Sequence, residues 1–198
     1  MYARTDNFCH RVLYRDLRDA YVLPACAEAL RKAQAELKRR RPDLSLCIFD
    51  ATRPMSVQQT MWDAVKNTPQ YYYVSNPAHG GGMHNYGMAV DISLCKASWD
   101  DSTWHDGAAR CRIDTVPMGT KVDYMGAASH IDKEQELVSR RIISREALAN
   151  RRLLREVMRA AGFMPLHTEW WHFNLCTRAW ARKKIGRASC RERVFRAV

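Results

Sequence analysis

Apolar positions divide this chain into short segments with recognisable periods. After Pro24, the residues Cys26, Leu30, Ala33 and Leu37 recur at steps of four, three and four, which is one stripe of an α-helix. Pro24 suits the first turn, where its missing N–H is not needed. Arg41-Pro42-Asp43 stops the helix. Leu44 to Phe49 is a continuous apolar run and predicts a buried strand, with Asp50-Ala-Thr-Arg-Pro54 as a loop at its end. Val57, Met61 and Val65 align on a helix over 56–66. Tyr71-Tyr-Tyr-Val74 has strand-favouring composition and is expected to be a strand. Asn76 to Gly82 is expected to be a loop, with Gly80-Gly-Gly82 giving permissive backbone.

Met88 to Leu94 alternates and predicts another strand, while residues 95–117 lack a period and are expected to be an irregular insertion. Ser144 is placed to cap a helix over 145–161, with Leu154, Val157, Met158 and Ala161 on its core side and Gly162 just past its end. Thr168 to Leu175 predicts a final aromatic strand. No internal repeat or interdomain linker interrupts residues 1–180. The expectation is one α+β domain, a small and mainly antiparallel sheet flanked by helices.

Composition narrows the class. A length of 198 residues suits one domain with a sizeable core. No run of about 18 apolar residues occurs, so no membrane span is expected. The seven cysteines show no C-x-x-C pair, which favours free thiols and a reducing compartment, the cytoplasm. An N-terminal leader ahead of Met1 would instead place the chain in the periplasm. The net charge of +11 invites a nucleic-acid reading, but residues 181–198 alone carry +6. That stretch is expected to be a basic tail, disordered or non-native, and no aromatic-basic stripe accompanies it, so no nucleic-acid partner is expected. Nothing in the sequence sets an oligomeric state.

Two segments carry candidate chemistry: His84-Asn-Tyr-Gly-Met-Ala-Val-Asp91 and Glu169-Trp-Trp-His172. Two imidazoles and one carboxylate are a common ligand set for catalytic zinc, and the second carboxylate is left over as a base. His84 and Asp91 are an odd number apart, so a regular strand would point them to opposite faces; Gly87 permits the turn that reunites them. Glu169 and His172, three apart on an aromatic strand, need a local irregularity to share a site. On the residues alone, a structural histidine packed beside two tryptophans is also an open reading.

His-x6-Asp followed by Glu-x-Trp-His resembles the zinc D-alanyl-D-alanine dipeptidase family, peptidase family M15, which includes the vancomycin-resistance dipeptidases. The resemblance also rests on Thr5-Asp-Asn-Phe8 with Val12-Leu-Tyr14, on Phe49-Asp-Ala-Thr-Arg-Pro54, on Val116-Pro-Met-Gly-Thr-Lys-Val-Asp-Tyr-Met125, on Ser129-His130 and on Gly162-Phe163. It implies a fold like that of Hedgehog and the D,D-peptidases. It implies one Zn2+ per chain held by His84, Asp91 and His172, with Glu169 as general base and acid and Arg53 facing the scissile carbonyl. Asp123 would hold the amine of a small dipeptide, and Met83 would touch the substrate. The sequence departs from the family at Gly82-Met83, where serine often stands, and at Ala51-Thr52, where Gly-Tyr is usual. Segment 95–115 is longer than expected and is read as a surface insertion or a lid. His79, His130 and His167 are read as structural, with His130 near the site. Two alternatives remain at this point: a D,D- or L,D-carboxypeptidase acting on peptidoglycan stems, and an inactive zinc- or peptidoglycan-binding module.

Overall fold

A computed structural model describes residues 1–17, 19–105, 108–185 and 195–196. The elements run in order β1 (Tyr21–Val22), α1 (Pro24–Arg40), β2 (Ser45–Asp50), α2 (Met55–Val65), β3 (Ala89–His105), β4 (Ala108–Thr115), α3 (Glu134–Ser139), α4 (Arg145–Ala160), β5 (Met164–Leu166), β6 (Glu169–Asn174), α5 (Arg178–Lys184) and β7 (Phe195–Arg196). The main sheet has five strands in the order β2-β3-β6-β5, with β4 also paired to β3, and every pairing is antiparallel. A two-stranded pair, β1 with β7, stands apart. Helices pack on this sheet, which is the expected α+β architecture.

The apolar stripe of α1 forms as its spacing requires, with Cys26, Ala33 and Leu37 fully buried. Leu154, Val157 and Met158 of α4 meet it, and both helices cover the face of β3 that carries Val90, Ile92 and Leu94. Ser144 caps α4 through its Oγ, which accepts from Ala147 N at 3.0 Å. Gly162 follows the helix with φ +93°, a left-handed conformation that favours glycine.

Two expectations are corrected. Tyr71–Tyr73 lie in a 3-10 turn, Pro69–Tyr73, not a strand. Thr68 caps that turn by accepting from Gln70 N, and Pro69 sets its first residue, so local turn chemistry outweighs strand propensity. Residues 95–117 are not an irregular insertion: β3 runs 17 residues and pairs with β4 as an antiparallel ribbon from Cys95↔Thr115 onward. Trp99, Trp104, His105 and Cys111 belong to this ribbon, but their side chains lie outside the described residues. At the other end, α5 crosses residue 181, where the basic tail was expected to begin, and Ala181 is buried in the core. The remainder of that tail lies mostly outside the described residues.

Among the described residues, no helix is long and apolar enough to cross a membrane.

Candidate active site

The site is built where β3 and β6 pair. Their register sets Asp91 opposite His172, so the two side chains share one face of the sheet. His84 arrives from a 3-10 turn, Met83–Tyr86, that ends at Gly87 with φ +66°. The Gly87 and Met88 amides close that turn onto the carbonyls of His84 and Met83. This left-handed residue delivers the turn expected between His84 and Asp91. The irregularity expected near Glu169 is also present. The pairing of β5 with β6 slips between Pro165↔Phe173 and Leu166↔Glu169.

The result is a tight triangle. His84 Nε2 lies 3.2 Å from His172 Nδ1 and 3.2 Å from Asp91 Oδ1, and His172 Nδ1 lies 3.0 Å from the same oxygen. All three residues are buried. The outer ring nitrogens are engaged elsewhere. His84 Nδ1 is 2.6 Å from the Ala51 carbonyl, which can only accept, so that nitrogen carries the proton. His172 Nε2 sits 2.9 Å from Asn174 Oδ1 and donates to it in the same way. In its neutral form each ring would therefore aim a lone pair inward, toward a carboxylate oxygen. Three acceptors in contact with no donor among them require a positive species in the middle, either extra protons on the rings or a metal ion. These three residues could hold a metal ion: their donor atoms all lie within 4.8 Å of one another. Burial opposes the charge on Asp91, but with protons on the inner ring nitrogens the coulombic pull of His84 and hydrogen bonds from both rings hold its carboxyl well below the usual range.

Glu169 completes the constellation. Its Oε2 is 4.0 Å from His172 Nδ1, and its side chain is 12% exposed. Burial pushes its carboxyl up to about 8, with Asp91 and Asp123 adding to the rise and His172 and Arg53 opposing it. Arg53 lies in the loop after β2, pinned from both sides. Its amide donates to the His84 carbonyl at 3.1 Å, and its carbonyl accepts from Asn85 Nδ2 at 2.8 Å. The guanidinium is buried. It donates to Asp50 Oδ2 at 2.7 and 3.0 Å and to Gln58 at 3.1 Å, and its Nη2 stands 3.6 Å from Asp91 Oδ2. The structural pairing of Arg53 with Asp50 and its place beside the triangle thus coexist. A register shift between Ile48 and Asp50 sets Asp50 opposite Asp91, which brings the guanidinium to the site.

Asp123 reaches the same cleft from the loop after β4, with φ +68°. Burial, and then the charge on Asp91, push its carboxyl up to about 7. Met83 is buried in the cleft wall. The cleft holds about 200 Å³, below the roughly 300–1,000 Å³ typical of sites for drug-sized ligands. His130 contacts Tyr73 Oη at 3.0 Å, and Tyr73 lines the cleft, so His130 stands at its edge as expected. His79 and His167 are exposed.

Sequence reasoning missed several residues here. Tyr2 Oη donates to Asp123 Oδ2 at 2.6 Å, and its ring lies 5.3 Å from the Arg53 guanidinium carbon. Tyr14 Oη donates to Asp50 at 2.7 Å. Ser75, Asn174 and Arg178 also line the cleft. Tyr2 and Asp123 are 121 positions apart and carry no local signal of their meeting.

Two buried imidazoles and a carboxylate within reach of one metal ion, with a second buried carboxylate beside them in a small cleft, are a set suited to hydrolysis of a small substrate. The chain belongs to the peptidase M15 family described as D-ala-D-ala dipeptidase, whose profile matches residues 1–188. It is 28% identical over 179 residues to a D-alanyl-D-alanine dipeptidase of Escherichia coli K12, covering 88% of this chain and 76% of the relative. A D-alanyl-D-alanine dipeptidase of Synechocystis is 27% identical over 194 residues, covering 83% of this chain and 73% of the relative. One of Enterococcus faecium is 33% identical over 95 residues, 46% of this chain and 36% of the relative.

Proposed function

We propose that this chain is a zinc-dependent dipeptidase that hydrolyses D-alanyl-D-alanine to two molecules of D-alanine. The observation that carries this reading is the acceptor-only triangle of His84, Asp91 and His172 with Glu169 at 4.0 Å from one of its nitrogens. One zinc ion held by the three would polarise the scissile carbonyl and lower the pKa of a water to about 7.

The protein's own groups do the rest. Glu169 takes a proton from the attacking water and passes it to the leaving amine. Burial raises this carboxyl in the metal-free site, and a zinc ion beside it would draw it back toward the charged form that can accept a proton and then release it. Arg53 faces the carbonyl oxygen and stabilises the charge that grows there. Asp50 and Gln58 fix the guanidinium beforehand, so little reorganisation is needed during reaction. Asp123 accepts the substrate's ammonium, aided by Tyr2, which fixes one of its oxygens. Burial and the charge on Asp91 raise this carboxyl to about 7; an ammonium beside it would restore its charge. An N-acylated peptide brings no such cation and leaves Asp123 unpaired. Met83 packs against the substrate from the cleft wall.

Purified protein is expected to contain about one zinc per chain and to release D-alanine from D-alanyl-D-alanine, with loss of activity on chelation. Glu169→Ala should keep its metal and lose turnover. Near wild-type rates in that variant would refute the assigned base. Efficient cleavage of an N-acylated tripeptide would favour a carboxypeptidase instead.

A further inference from the structure

A free dipeptide is charged at both ends, and Asp123 answers only the ammonium. Arg53 is already committed to Asp50 and Gln58. A second guanidinium, Arg178, lines the same cleft. It opens α5, one residue after Thr177, whose Oγ1 accepts from the Trp180 amide and fixes the turn. Its Nη2 donates to the carbonyls of His79, at 3.0 Å, and Gly81. The side chain is thereby anchored to the loop that leads into Met83 and His84.

Both anchoring partners are neutral. The ion pairs of the cleft join Arg53 to Asp50 and Asp91, His84 to Asp50 and Asp91, and His172 to Asp91 and Glu169; among the described residues none includes Arg178. Its Nε is buried with no hydrogen-bond partner. A buried donor on an unpaired cation is costly, and a carboxylate relieves both deficits at once.

A hydroxyl stands beside this loop. Ser75 lines the cleft, and a Cβ built on Gly82 would come within 2.9 Å of Ser75 Oγ. A side chain at Gly82 would have to displace Ser75, whose hydroxyl occupies that place from the neighbouring loop.

We propose that Arg178, with the Ser75 hydroxyl nearby, anchors the C-terminal carboxylate of the substrate; this rests on the dipeptidase reading above. With Asp123 at the amine, the cleft then recognises a zwitterion two residues long. A peptide extended at either end loses one of the two charges.

The test is calorimetric binding of D-alanyl-D-alanine and of its C-terminal amide to the zinc-loaded full chain carrying Glu169→Gln, which removes turnover from the measurement. Adding Arg178→Gln should weaken binding of the acid about 10- to 100-fold and bring the acid and the amide to similar affinity. Ser75→Ala leaves the Arg178 bonds to the loop intact and should weaken the acid by about 3- to 10-fold with little effect on the amide. Equal binding of acid and amide by the Glu169→Gln parent, or loss of both ligands alike in Arg178→Gln with Ser75→Ala neutral, overturns the anchor. A parent that prefers the acid, while the wild-type chain releases no D-alanine, supports the anchor and counts against the dipeptidase reading alone.

Discussion

Replacing Glu169 with glutamine should make the metal-free protein more stable at high pH and leave it unchanged at low pH. The carboxyl is 12% exposed and faces Asp91 and Asp123, and burial pushes it from the usual 4.5 up to about 8. The folded chain therefore binds this proton more tightly than the unfolded chain does. Below about pH 4.5 both states hold the proton and nothing is lost. Between 4.5 and 8 the unfolded state ionises first, and stability falls as pH rises. Above 8 both are ionised and the full penalty is present, up to about 5 kcal/mol at roughly 1.4 kcal/mol per pH unit. Glutamine keeps the shape and abolishes the titration. Even 2 kcal/mol would move the melting temperature by roughly 4–8 °C in a chain of this size. The assay is thermal or urea unfolding of chelator-treated wild type and Glu169→Gln between pH 4 and 9. The curves should converge at the acid end and separate steadily toward the alkaline end. Parallel curves would show that the carboxyl is not held in the environment described, and the reasoning for its role as a base would fall with it.

Other outcomes follow from the same geometry. Gly87→Ala forces an L side chain into φ +66° with its Cβ 3.1 Å from Thr52 Oγ1; it should cost about 1–2 kcal/mol in urea unfolding and weaken zinc affinity in a competitive chelator titration. Arg151→Met removes the buried bonds to the Met118 and Ala128 carbonyls that hold the Asp123 loop, and should cost about 2–4 kcal/mol in urea unfolding while raising KM more than it lowers kcat. Ser144→Ala deletes the cap of α4 and should cost about 1 kcal/mol in the same assay without altering KM.

The readable parts of the fold were those with one buried face. The stripes of α1 and α4 and the alternation of Val90, Ile92 and Leu94 record burial directly, because each apolar side chain meets the core. The β3–β4 ribbon was missed because its outer half is held by ladder hydrogen bonds, which leave no apolar period in the sequence. Tyr71–Tyr73 misled for the opposite reason. Strand propensity measures packing on a pleated surface, and Tyr71 and Tyr72 have none, each being 53% exposed. Within the site, residues sharing a local turn were legible: Gly87 announced the link between His84 and Asp91. Tyr2, Tyr14, Ser75 and Arg178 were not, since each enters from a distant segment and carries no special residue type.

Burial ties these late arrivals to the chemistry. Arg53 has Asp50 and Gln58 beside it, but its charge also needs a negative environment, which Asp91 and the ring of Tyr2 supply from other segments. Asp50 in turn is satisfied by Tyr14. Asp123 is kept at the cleft by Tyr2, while α4 and β6 hold its loop from behind: Asn150 donates to the Pro117 carbonyl, Arg151 to Met118 and Ala128, and Trp170 Nε1 to Thr120. Arg53, Asp50 and Asp123 are thus each oriented by a neighbour that does not share their element. Such a network loses more from removing one member than from any single bond, because each deletion leaves a buried partner unpaired. Tyr2 sits at the junction of the Arg53 and Asp123 branches. Tyr2→Phe keeps the ring over Arg53 and removes only the hydroxyl bound to Asp123. It should therefore weaken dipeptide binding while leaving zinc affinity at the wild-type value, and a change in both would mean that the two branches are not separable.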